Sequence, residues 1–233
     1  MLPIGNRSLE RFDSYPMQYA DFAANGLAIA LCMSPLDHIP PVPAMIATRL
    51  QLDLLLQGSH IELSAVSEVI LSDPGATVQI FRLIAEEYSD KENRPTRMED
   101  CIASLNFDRW YDVICASSIP LNSGVLEEWE RLRQIAHCAR KLARRMDGFS
   151  PDEAYLVGLL FEVGKLPCLL GWDITCKSLE EQRAISLMLA DYWHLPAFVL
   201  AAIREQYDAS ASSEWSEMLR LAQGMAMLAR TVD

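Results

Sequence analysis

Residues Ser150 to Trp172 read SPDEAYLVGLLFEVGKLPCLLGW, and the fold turns on how this stretch folds. Ser150 suits an N-cap, Pro151 has the φ of a first helical turn, and Glu153 stands where the second half of a capping box belongs. A helix follows through Leu156, Leu159 and Leu160 into Val163-Gly164-Lys165, where Gly164 is expected to supply a backbone conformation that other residues resist.

On the N-terminal side, Leu126, Trp129, Leu132, Ile135, Ala136, Ala139 and Leu142 recur at helical spacing and predict a long helix from about Ser123 to Met146. Its remaining face carries Arg131, Arg133, Arg140, Lys141, Arg144 and Arg145, expected to be mostly a solvated face, with an acidic partner as the alternative. On the C-terminal side, Ser178-Leu-Glu-Glu181 offers a second capping box for a helix to Trp193. Leu195-Pro196 restarts the chain for a helix to about Tyr207, and a last helix spans roughly Glu214 to Arg230. Met218, Met225 and Met227 are expected to fill a core, and Trp129, Trp193 and Trp215 to anchor packing.

Further upstream, a helix is predicted from about Met17 to Met33, ended by the prolines at 35, 40, 41 and 43. The next runs from Ala44 to Gln57 with Ile46, Leu50, Leu54 and Leu55 on its apolar side. Another, from Glu62 to Leu71, buries Val66, Val69 and Ile70. Asp73-Pro74 then caps a helix that carries Val78, Phe81, Leu83 and Ile84 toward Tyr88. Residues 89–97 read as a charged, exposed loop, with short helices after it from Met98 to Leu105 and Asp108 to Ser117. No hairpin signal interrupts this series, so the fold class is all-α.

The totals narrow the function. Thirty-two acids against twenty bases leave a net charge of −12, which argues against nucleic acid and anionic lipid as partners. The longest apolar run, Leu27 to Met33, is too short to span a bilayer, and the start lacks the pattern of a secretory signal, so a cytoplasmic location is expected. Six cysteines without CxxC spacing are expected to act as small buried hydrophobes. The four histidines, His38, His60, His137 and His194, share no metal-like spacing.

In this order the pieces resemble the HDOD family, the HD-related output domains of bacterial signalling proteins. The resemblance rests on Ile39-Pro-Pro-Val-Pro43, on Val69-Ile-Leu-Ser-Asp-Pro74 followed by Phe81-Arg-Leu83, and on the long helix from Leu126 to Leu142. It continues through Gly158-Leu-Leu-Phe-Glu-Val-Gly-Lys165, similar to a Gly-Leu-Leu-His-Asp-Ile-Gly-Lys motif, and through His194-Leu-Pro196 and Ala202-Ile-Arg204, similar to Gly-Leu-Pro and Ala-Ile-Arg elements. It implies an N-terminal helical extension over 1–35 and a multi-helix HD-like domain over 36–230, divided into an N-terminal helical half (36–120) and an HD-like half (121–230).

Active HD enzymes hold metal with an early His, a His-Asp pair and a late Asp. By this alignment Arg131 takes the early His position, Phe161 and Glu162 replace the pair, and Met227 falls near the late Asp. Ala85-Glu86-Glu87 stands where the family has an asparagine. One carboxylate beside an arginine makes no divalent-metal site. No metal, cofactor or catalytic residue is therefore expected, and the vestigial pocket comprises Arg131, Phe161, Glu162, Lys165 and Arg204.

Within it Arg131 is expected to neutralise Glu162; the alternative is that Arg131, with Lys165 or Arg204, holds a nucleotide or another small anion. The implied function is a noncatalytic signalling module acting on unidentified protein partners. A divergent phosphohydrolase for a nucleotide or cyclic dinucleotide, with a site relocated to Glu162, Asp191 or His194, is the alternative, and a purely structural oligomerisation domain is a third.

Overall fold

A computed structural model describes residues 39–58, 61–172, 178–206 and 214–230. The helix expected over Met17 to Met33, the extension over 1–35, and His38 and His60 lie outside the described residues. Residues Pro40 to Asp233 gather into one compact unit. Its described part is helical apart from β1 (Ala44–Met45) and β2 (Ser118–Ile119), two residues each, which pair in parallel. These strands escape a reading by periodicity because two residues carry no period.

Helices α1 (Ile46–Leu56), α2 (Leu63–Leu71) and α3 (Pro74–Glu87) follow β1. Asp73 explains why α3 starts where it does. Its Oδ1 accepts the amides of Gly75 and Ala76, and its Oδ2 accepts the Met45 amide at 2.7 Å and the Thr48 hydroxyl at 2.8 Å. One fully buried carboxyl thus caps α3 and ties it to β1 and α1. Burial pushes this carboxyl above the ordinary Asp range while the four donors pull it back.

The apolar side expected for α1 is a correction. Ile46, Leu50 and Leu54 are 40–71% exposed, whereas Thr48 and Leu52 face inward. Spacing finds a stripe on a helix; what covers that stripe is a tertiary fact. After a 3₁₀ turn at Lys91–Asn93 come α4 (Met98–Ser104) and α5 (Phe107–Ser117), the latter capped by Asn106.

The long helix α6 (Ser123–Ala143) buries Val125, Trp129, Leu132, Ile135, Ala136 and Ala139, while Leu126, expected inside, is 43% exposed. It packs along α7 (Pro151–Leu160), capped by Ser150, whose hydroxyl accepts the Glu153 amide. Gly158 permits the close approach, since a Cβ there would lie 2.7 Å from the Ala136 Cα.

A 3₁₀ turn at Val163–Lys165 and the short α8 (Leu166–Leu169) complete the central stretch. The reason for Gly164 differs from the expected one. Its φ is not in the left-handed region, but a Cβ would collide with the Ser186 Oγ at 2.0 Å. Closeness to the next helix, not backbone freedom, requires glycine.

Helices α9 (Leu179–Tyr192), α10 (Ala197–Gln206) and α11 (Glu214–Arg230) close the fold. At the end of α9, His194 has φ 55, its amide donates to the Asp191 carbonyl, and the Leu195 amide donates to the Ala190 carbonyl. That pair of bonds is a Schellman cap, which favours glycine at this position. His194→Gly should therefore stabilise the protein by about 0.5–1 kcal/mol and raise its Tm by about 2 °C, as a thermal melt would show. No gain in Tm would mean that the His194 side chain stabilises the folded chain by as much as its backbone strain costs.

Trp129 and Trp193 are buried as expected, and Trp215 packs edge-on against Phe149 with centroids 4.7 Å apart. The methionines divide. Met218 is fully buried, but Met225 is 40% and Met227 72% exposed, because α11 turns only one side to α6. Cys101 is buried as expected, whereas Cys168 is exposed.

Candidate functional site

The C-terminal end of α7 and the following 3₁₀ turn bring Glu162 against the middle of α6. There the Arg131 guanidinium pairs with Glu162 Oε2, and Lys165 Nζ lies 2.7 Å from Glu162 Oε1. A fourth group joins them. Arg131 donates to both oxygens of Glu128, at 2.5 and 2.8 Å, and Lys165 Nζ lies 3.9 Å from Glu128 Oε1. Among the described residues the result is a set of two cations and two anions.

The carboxylates of Glu128 and Glu162 are only 16% and 13% exposed, which makes their neutralisation a structural need. Burial, followed by the Arg131 charge, pulls the Lys165 ammonium below its ordinary pKa, with Glu128 opposing. Lys165 still donates to Glu162, so the set holds together as a charge-balanced unit. The part-buried setting gives each contact more weight than a surface pair.

The remaining residues of the expected pocket are placed differently. Phe161 is buried in the core, and its carbonyl accepts the Gln206 side-chain amide at 2.8 Å. Arg204 is exposed on α10 and makes no ion pair among the described residues. Met227, aligned near a ligand position, points to solvent. The structure thus unites Arg131, Glu162 and Lys165 but not Arg204.

Sequence reasoning missed Glu128 and Gln206. Glu128 was findable, because it sits three residues before Arg131 on the same helix, a spacing at which side chains meet. Nothing local marks Gln206, whose role arises only from the docking of α10.

The chemistry of this set follows from its charges. A divalent ion needs carboxylates that are free to turn toward it, and both of these already accept from cations. Among the described residues, no three His, Cys, Asp or Glu side chains gather where they could hold a metal. Asp191 faces Lys91 at 3.8 Å, and His194 forms the helix cap through its backbone.

The described residues define an all-α domain with a part-buried ion-pair cluster at its central turn. More narrowly, a family model for the HDOD domain matches residues 39–184, and the chain belongs to the HDOD family. No curated protein matches the sequence.

Two solved structures share the fold. The MmoQ response regulator from Methylococcus capsulatus is 18% identical, with a TM-score of 0.65 over 83% of this chain and 90% of that one. A virulence factor from Campylobacter jejuni is 16% identical, with a TM-score of 0.52 over 79% of this chain and 75% of that one. Among the described residues no helix is long and apolar enough to cross a membrane.

Proposed function

We propose that this chain is a noncatalytic regulatory module of HDOD type that works in signal transduction through contacts with other proteins. The observation that carries the reading is the set formed by Arg131, Lys165, Glu128 and Glu162, in which Arg131 and Glu162 stand at two of the positions where the HD resemblance places metal ligands. Phosphoryl transfer leans on concentrated positive charge next to the phosphate and on an activated water. Here the cations are already matched one to one by carboxylates. An anionic ligand would have to compete with Glu128 and Glu162 for these cations and would place its own negative charge beside two part-buried carboxylates. That weighs against the small-anion alternative and toward function on the outer surface.

The test is hydrolysis of a panel of nucleotides and cyclic dinucleotides with Mn²⁺. The expected result is a rate equal to that of buffer, for the natural chain and for Glu162→Ala alike. Turnover that depends on metal and disappears in Glu162→Ala would establish the hydrolase reading instead.

A further inference from the structure

The six basic residues on α6 and just beyond its end do not behave alike. Arg131 pairs with Glu128 and Glu162, Arg133 with Glu130, and Arg140 with Glu68 at 3.0 Å and Asp152 at 3.6 Å. Lys141, Arg144 and Arg145, at and just beyond the helix end, are exposed and make no ion pair among the described residues. The negative end of the α6 dipole accounts for a preference for cations there. It does not account for what lies beside them.

Lys141, Arg144 and Arg145 line a groove of about 320 Å³ whose apolar wall is Leu142 and Met225. Met225 is the middle of a stripe on α11. Leu221, Met225 and Leu228, at i, i+4 and i+7, are 41%, 40% and 68% exposed, next to the buried side formed by Met218, Ala222 and Ala226. The stripe is about 10 Å long. Its spacing is the one by which a helix in a groove presents its anchors, and methionine adapts to varied apolar partners.

We propose that this groove docks an acidic amphipathic helix from a partner protein. Its apolar side would lie on Leu221, Met225 and Leu228, and its Asp or Glu side chains would meet Lys141, Arg144 and Arg145. Charge complementarity selects this occupant. Three cations that make no ion pair among the described residues, beside an apolar stripe, favour a segment that is acidic on one flank and apolar on its face. A small anion would leave the stripe uncovered. The inference rests on the reading of this chain as a protein-contact module.

The probe is a labelled designed peptide of about 20 residues, long enough to form several helical turns, with leucines at i, i+3, i+4 and i+7 and glutamates on the flank. Its binding to the full chain is read by fluorescence anisotropy. Two controls carry lysine for glutamate, or serine for leucine.

The expected result is saturable binding of the acidic peptide only, weakened about tenfold or more by Lys141→Gln/Arg144→Gln/Arg145→Gln and, independently, by Leu221→Ser/Met225→Ser, with each variant folded by circular dichroism. Raised salt should weaken it, and a photo-crosslinker on the peptide should label α11. Equal binding of the lysine peptide, no binding of the acidic one, or affinity unchanged in both variants would overturn the proposal. Because the nucleotide assay is separate, a failed groove without turnover leaves the noncatalytic reading intact, and turnover with peptide binding overturns that reading alone.

Discussion

Asp73→Ala is expected to remove about 4 kcal/mol of stability. The N-cap contribution alone is about 1–2 kcal/mol. Beyond it, the substitution leaves the part-buried Met45 amide and the buried Thr48 hydroxyl without their acceptor. An unsatisfied donor costs about 1–3 kcal/mol, so the Met45 amide added to the lost cap reaches the stated figure even if the Thr48 hydroxyl rotates to another partner. Domains of this kind are stable by only about 5–15 kcal/mol, so the variant would sit near the edge of folding at 37 °C. Urea unfolding monitored by circular dichroism is the measurement. A loss below about 1 kcal/mol would show that the link between α3 and β1–α1 does not depend on this carboxyl.

Asp73 also illustrates what could be read from the residues alone. Asp73-Pro74, Ser150-Pro151 and Ser178 mark helix starts because a cap satisfies amides within three residues of itself, and that chemistry is local. The ordered motifs carried the all-α fold and the family, and they placed Arg131 opposite Glu162. Burial was less legible. Ile46, Leu50 and Leu54 form a proper stripe yet face outward, and Met225 and Met227 lie on the open sides of α11. A pattern of period 3.6 says which residues share a side and is silent on which neighbour covers it.

The candidate site follows the same division. Its Arg131–Glu162 contact spans 31 positions in sequence and was legible only through the family's frame. Glu128 completes the set from within α6. Arg204 and Met227 were assigned by order along the chain, but the docking of α10 and α11 leaves both facing solvent. Gly164 shows that a right residue can carry a wrong reason. Its close contact with Ser186 is made across 22 positions and leaves no local trace.

The second large effect belongs to the charge set itself. Glu162→Leu removes the carboxylate that Arg131 and Lys165 both face, and Arg131→Met removes the guanidinium that Glu128 and Glu162 both face, so each single variant unbalances the set by one charge. Breaking a fully buried pair costs about 3–5 kcal/mol. These groups keep 13–39% of their side-chain surface, and water at their edge reduces the expectation to about 2 kcal/mol for each variant. Removing both partners restores balance, because the remaining Lys165 and Glu128 match one another, and the new apolar side chains can pack against the core.

The double-mutant cycle of Arg131→Met and Glu162→Leu, read by urea unfolding, is therefore the most direct test of the claim that a self-neutralised ion cluster occupies the HD-like frame. The account predicts that the double variant is more stable than the sum of the single losses implies, by at least about 1 kcal/mol. Additive losses, with no coupling between the two positions, would contradict it.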